Sequence, residues 1–149
     1  MPRTPKLLLG HDAHVAQWVL ERIPHVTDFG ACTAIGIGSE QTGTIYAGVV
    51  YSAYEPLYGT IQASIASVSP LWATPGTIKA LLHYPFEQIG VELLWAVTRS
   101  DNAKARNFLS KIKFKQEAIL RHRFGKGVHA VSYSMTALEY QRQYGGTNG

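Results

Sequence analysis

One cysteine, Cys32, occurs in 149 residues, so no internal disulfide can form and no thiolate cluster can hold zinc; such a chain suits a reducing compartment. Acids are scarce, ten against fourteen Lys and Arg, which leaves a formal charge of +4. No apolar run approaches the roughly 18 to 20 residues of a membrane helix. Lys6-Leu7-Leu8-Leu9-Gly10 is also shorter than the about 7 to 15 residues of a signal-peptide core. The expectation is a cytoplasmic protein with no membrane segment. No internal repeat is visible. With 46% hydrophobic residues the chain can bury one sizeable core. Residues 1–149 are expected to form a single domain, with a core over about 8–140 and a disordered tail over 141–149.

The apolar pattern orders the elements. Asp12 is placed to cap a helix whose apolar positions Val15, Trp18, Val19 and Ile23 lead to Pro24. Cys32–Ile37 and Thr44–Tyr54 read as a hairpin, and Thr60–Ser69 as a third antiparallel strand stopped by Pro70. Thr74-Pro75-Gly76 is a cap followed by proline at the first helical position. Ile78, Leu81, Leu82 and Phe86 carry the stripe to about Gln88, where Pro85 bends or ends the helix. Ile89–Thr98 is almost continuously apolar, as for a strand buried on both faces. A helix over Asn102–Ile112, strands Lys115–Phe124 and His129–Thr136 joined at Gly125-Lys126-Gly127, and at most a short helix from Ala137 complete the order. The fold class is α/β (α+β): a mixed, mostly antiparallel twisted sheet of about six to seven strands flanked by three to four helices. A crossover helix starts where open α/β sheets bind ligands, so Ser67–Thr77 is the expected ligand mouth.

Charge is uneven. Between Arg99 and Lys126 nine basic residues stand against Asp101 and Glu117. Such a segment can attract a phosphorylated cofactor, a nucleic acid or an acidic protein, or simply be a solvated helix face. His11-x-x-His14 has a metal-like spacing without a third ligand, so no metal is expected.

Tyr84-Pro85-Phe86-Glu87-Gln88-Ile89-Gly90-Val91-Glu92 is similar to a Tyr-Ala-Phe-x-x-Leu-Gly-x-x-Arg family passage. Asn102 with Ala105, and Phe114-x-x-Glu117-Ala118-x-x-Arg121, are similar to its Asn-x-x-Ala/Ser and Phe-x-x-Glu-Gly-x-x-Arg. On these residues, and on element order over about 8–140, the chain resembles the GCN5-related N-acetyltransferases. The likeness is greatest to the ribosomal-protein alanine acetyltransferase branch and its phage-encoded relatives. The resemblance implies acetyl-CoA as cofactor and direct acetyl transfer to an amine in a ternary complex. The amine is left open: a protein N-terminus, a lysine, a small amine or an aminoglycoside.

The resemblance implies cofactor contacts at Ser67, Val68 and Trp72, at Thr74, Gly76, Thr77, Ile78 and Lys79, and at Asn102 and Arg106. The family's loop pattern, Arg/Gln-x-x-Gly-x-Gly/Ala, falls on Ser67–Trp72, where both glycines are missing. Free N–H groups of Gly76, Thr77 and Ile78 at a helix start offer an anion a substitute. The tyrosine that protonates the departing thiolate in many members falls on Leu109. Glu55, Glu92 and His83 are candidate bases, none singled out. Two other readings stand beside catalysis. One is an inactive module of the same fold that binds acetyl-CoA or a protein. The other is a nucleic-acid binder built on Lys111, Lys113, Lys115, Arg121, Arg123 and Lys126 with Phe124, for which element order and aromatic content are wrong. Exposed sheet edges allow a homodimer.

Overall fold

A computed structural model describes residues 6–69 and 72–145. In chain order the elements are β1 (Lys6–Leu8), α1 (Asp12–Leu20), β2 (Cys32–Ser39), β3 (Thr44–Glu55), β4 (Thr60–Ser67), α2 (Pro75–His83), β5 (Leu93–Arg99), α3 (Ala103–Lys111), β6 (Lys115–Leu120), β7 (Ala130–Thr136) and α4 (Ala137–Gln143). The strands make one sheet in the order β1-β2-β3-β4-β5-β7-β6. Every neighbouring pair is antiparallel except β4 and β5. The expected mixed, mostly antiparallel architecture is the one observed.

Helix α1 covers β2, β3 and the edge of β4 on one face, through the fully buried Val15 and Val19. Gly48 permits this approach, because a Cβ there would lie 2.6 Å from Val19 Cγ2. On the other face α2, α3 and α4 pack over the larger core, which includes Ile37, Val49, Tyr51, Ile61, Leu94 and Tyr133. The Tyr51 hydroxyl donates to the Leu81 carbonyl at 2.5 Å and so ties α2 to β3. Burial holds the Tyr51 phenol well above its ordinary pKa.

Several expectations need correction. Strand β5 alternates half-buried and buried residues instead of being buried on both faces. The cause is that α1 lies over the β2–β4 half, leaving Trp95, Val97 and Arg99 facing out. His11, not Asp12, holds the cap position of α1; the Asp12 carboxylate instead accepts from the Ala34 N–H at 2.9 Å, pinning the helix to β2. Helix α2 stops at His83 and continues as a π-helical turn, Tyr84–Ile89. Pro85 has no N–H to give, and its carbonyl accepts from Gly90 and Val91, both at 3.0 Å. Strand β6 ends at Leu120, because His122 at φ 59 turns the chain. Edge strand β1 was not anticipated. Residues 141–143 belong to α4, which a Thr136/Glu139 capping box starts, and the Tyr144 hydroxyl donates to the Ile112 carbonyl at 2.7 Å. Residues 146–149 of the expected tail lie outside the described residues.

Candidate functional site

Strands β4 and β5 pair only over Thr60–Leu93, Ile61–Leu94 and Gln62–Trp95, and then part. Each follows its own half of the sheet: β4 stays with β3 as far as Ser67, and β5 with β7 as far as Arg99. The Val68 N–H donates to the Tyr46 carbonyl at 2.9 Å, which sets the alternation along the β3–β4 ladder. Gln62, Ser64 and Ala66 therefore bond to β3; the Ala63 N–H makes the last rung to the Trp95 carbonyl, and beyond it the N–H groups of Ile65 and Ser67 and the Ala63 carbonyl point into the gap.

Because β4 and β5 run in parallel, the helices that follow them both begin at the open end of the gap. Their starts are built alike. Thr74 Oγ1 accepts from the Thr77 N–H at 3.2 Å, and Asn102 Oδ1 accepts from the Ala105 N–H at 3.1 Å. In both helices the second amide, that of Gly76 or of Lys104, has no acceptor among the described residues. The expectation of three free amides on α2 is thus reduced to one, since the Ile78 N–H also bonds back, to the Thr74 carbonyl at 3.0 Å. Gly76 has open space where a Cβ would stand.

The slot between α2 and α3 holds Trp72. Its side chain is 3% exposed, and its ring centroid lies 5.3 Å from that of Phe108. An apolar cavity of about 20 Å³ remains beside it, bounded by Ile65, Ile78, Leu94 and Ile112 among others. Pro70 and Leu71, the middle of the expected pyrophosphate loop, lie outside the described residues. Ser67 closes β4, and Val68 is exposed. Lys79 is exposed on the outer side of α2, where it lines a groove with Gly76, His83 and Leu7.

Arg106 is already engaged. Its Nε donates to the Tyr133 hydroxyl at 3.1 Å, Nη1 to the Ser100 carbonyl at 2.9 Å and Nη2 to Gln116 Oε1 at 3.1 Å, leaving two of five N–H donors for a ligand. Glu55 and Glu92 sit at the paired end of β4 and β5: Glu55 lies opposite Thr60, and the Glu92 N–H donates to the Gly59 carbonyl at 2.7 Å. From Thr60 to Ala63 is about 10 Å of strand. His83 is exposed at the end of α2 and lines, with Leu7 and Ile35, the groove over β1 and β2. These three residues are not brought to the gap. Leu109 is buried and carries no hydroxyl.

Sequence reasoning missed the open face. At the last rung before the split, Gln62 stands opposite Trp95, and Trp95 opposite Ser134, whose hydroxyl donates to Glu117 Oε2 at 2.9 Å. Glu117 shares this face with Lys115 by the ordinary alternation of β6, and the register shift between Gln116 and Ala118 turns Ala118 to it as well.

The open end is bridged on the same face. His25, in the α1–β2 loop, packs on Phe124 of the β6–β7 turn with ring centroids 4.1 Å apart. The turn itself rests on two imidazoles: the His122 N–H donates to His129 Nδ1 and the Gly127 N–H to His122 Nδ1, each at 2.8 Å. Burial, then Arg123 and Arg99, lower the pKa of His25. The unfolded chain then takes up this proton first, so the stabilisation is complete above pH 6.5 and is lost as pH falls below it. Between pH 7 and 5 the wild-type melting temperature should fall further than that of His25→Phe, which keeps the ring contact without the charge. Parallel curves would contradict this assignment.

No protein-family profile matches the chain, and no curated protein does. Solved structures do match. A GCN5-related N-acetyltransferase from Brucella melitensis superposes with a TM-score of 0.69 at 15% identity, over 97% of this chain and 81% of that one. The spermidine/spermine N-acetyltransferase SpeG from Vibrio cholerae superposes with a TM-score of 0.70 at 12% identity, over 93% of this chain and 96% of that one. The overall fold of this chain, with its seven-stranded mixed sheet, is therefore that of the GCN5-related N-acetyltransferases.

Proposed function

We propose that this chain is an N-acetyltransferase that moves an acetyl group from acetyl-CoA to an amine by direct transfer in a ternary complex. The motif passages around Tyr84–Glu92 and Phe114–Arg121 favour the ribosomal-protein alanine acetyltransferase branch. The observation that carries the reading is the gap between β4 and β5, with the backbone donors of Ile65 and Ser67 aimed into it.

The residues present suit the cofactor's diphosphate. Gly76 leaves its free amide accessible, and the N-termini of α2 and α3 both offer partial positive charge at the open end. The Asn102 Nδ2 and the two free donors of Arg106 supply further polar contacts. When bound, acetyl-CoA supplies an acyl group activated as a thioester. The chain's part is then largely positioning, which for two reactants held in register is worth on the order of 7 to 11 kcal/mol. The amide of Ile65 stabilises negative charge developing on the carbonyl oxygen. A proton leaving the amine passes through water to Glu117, which is exposed on the open face beside Ser134. Glu55, Glu92 and His83, placed farther off, would act only through water.

Trp72 favours a second reading, an inactive module of the same fold, because it fills the slot beside the gap with an aromatic pair. One experiment separates the two. Incubation with acetyl-CoA and a panel of amines and peptides should release free thiol at a rate proportional to protein concentration. Coenzyme binding, seen as a raised melting temperature, without thiol release would leave only the inactive module.

A further inference from the structure

We propose that His122 and His129 form an acid-released latch: while both rings are neutral they hold the β6–β7 turn so that Phe124 meets His25 across the open end of the gap, and a second proton on either ring lets this bridge go. The device goes beyond the acetyl-transfer reading and stands without it, because it is a property of the turn.

Backbone bonds close only the inner part of the turn between Leu120 and Ala130. Gly125 N–H donates to the His122 carbonyl at 3.1 Å, Val128 N–H to the Gly125 carbonyl at 2.9 Å and Phe124 N–H to the Val128 carbonyl at 3.1 Å. The two imidazoles complete it. His122, at φ 59, gives its amide to His129 Nδ1, while its own Nδ1 accepts from the Gly127 N–H, each at 2.8 Å. The rings meet edge to face with centroids 4.9 Å apart. His129 is fixed in turn, since its carbonyl accepts from the Ser100 N–H at 2.9 Å.

A neutral ring that accepts at Nδ1 carries its one proton on Nε2. The next proton goes to Nδ1 and sets a donor against a donor, so the bond becomes a repulsion. Imidazole is the side chain that ordinarily changes charge between about pH 5 and 8. On the turn itself the neighbouring charges are Arg121, Arg123 and Lys126. The α1–β2 loop brings His25 and Asp28, and the end of β5 brings Arg99, which is bonded twice to Asp101 at 3.0 and 2.9 Å. Glu117 lies back along β6, beside Ser134. Among the described residues no carboxylate bonds to either ring, so nothing holds the charged form in the closed turn. The Phe124 ring, with the Arg123 guanidinium 5.6 Å from its centroid on one side and His25 on the other, is the part of the turn that reaches the bridge. Burial, then Arg123 and Arg99, lower the pKa of His25, so the bridge is made by an uncharged ring.

NMR of the whole chain tests the latch without requiring turnover. At about pH 7.5 the ring nitrogens of His122 and His129 should both report the Nε2–H tautomer. Between there and about pH 5 the exchange protection of the His122 and Gly127 amides should fall about tenfold, and the His25–Phe124 cross-peak should vanish, while β3 amides stay protected. The fall should persist in His25→Phe, which removes the titration of His25 itself. In His122→Asn/His129→Asn an amide oxygen accepts where Nδ1 did and takes up no proton, and asparagine tolerates positive φ, so protection should be equal at both pH values. His129→Ala should lose protection of the His122 amide already at neutral pH. An Nδ1–H tautomer in either ring at neutral pH, protection unchanged in acid, a fall shared with the β3 amides, an equal fall in the asparagine pair, or full protection in His129→Ala would each overturn the latch.

Discussion

A Gly76→Glu protein should melt at or slightly above the wild-type temperature and yet lose most of its affinity for acetyl-CoA. The two effects have opposite signs because they arise from different neighbours. In the fold, Gly76 is the second residue of α2, has no positive φ, and faces open space, so a side chain there meets nothing. Replacing glycine within a helix gains up to about 1 kcal/mol, and an acid in the first turn gains roughly 0.3–1 kcal/mol from the helix dipole. For a bound diphosphate the same carboxylate is a like charge. At about 4 Å and an effective dielectric near 20, a pair of unit charges repels by about 4 kcal/mol. Screening at an exposed site lowers this, so a loss of about a hundredfold is expected. Thermal denaturation and titration calorimetry measure the two quantities on one sample. Unchanged coenzyme affinity would remove the diphosphate from the start of α2.

Trp72→Ala is expected to have the largest effect on stability. The indole is almost fully buried between α2 and α3, and truncating a core aromatic costs about 3–5 kcal/mol. For a domain of this size each kcal/mol moves the midpoint by about 2–4 °C, so a fall of about 10 °C is expected. Trp72→Phe, which keeps a ring against Phe108, should lose less than half as much. The same pair of variants tests whether the slot opens for the coenzyme. If Trp72 must leave it, acetyl-CoA should change tryptophan emission in the wild type and far less in Trp72→Phe, and should rescue part of the melting loss in Trp72→Ala. Emission that is unchanged by saturating acetyl-CoA would mean that the ring stays in place, and would favour the inactive module.

The element order was legible because it rests on local rules. Thr74-Pro75 announced the start of α2, Asn102 that of α3, and apolar spacing located the strands to within a few residues. The motif passages reached the fold but not its site. Trp72 illustrates the limit: its position in the chain marks it as part of a loop over a phosphate, whereas packing against Phe108 makes it core. Arg106 is similar, a cation by sequence and a three-way clamp among α3, β6 and β7 by contact. Glu55, Glu92 and His83 have suitable chemistry, but strand register puts both acids at the paired end, about 10 Å of strand from the split, and His83 lines the groove over β1 and β2.

By itself, the sequence determined that the chain alternates helices and strands in a way that builds one mixed sheet, because propensity, capping and apolar period act over a few neighbours. Only the tertiary structure decided where the sheet splits, that α1 leaves the β5–β7 face open, that the β6–β7 register sets Glu117 beside Ser134, and that His25 meets Phe124 across the gap. Each of these depends on pairing between residues far apart in the chain, and a shift of one residue in register turns every side chain of a strand to the opposite face.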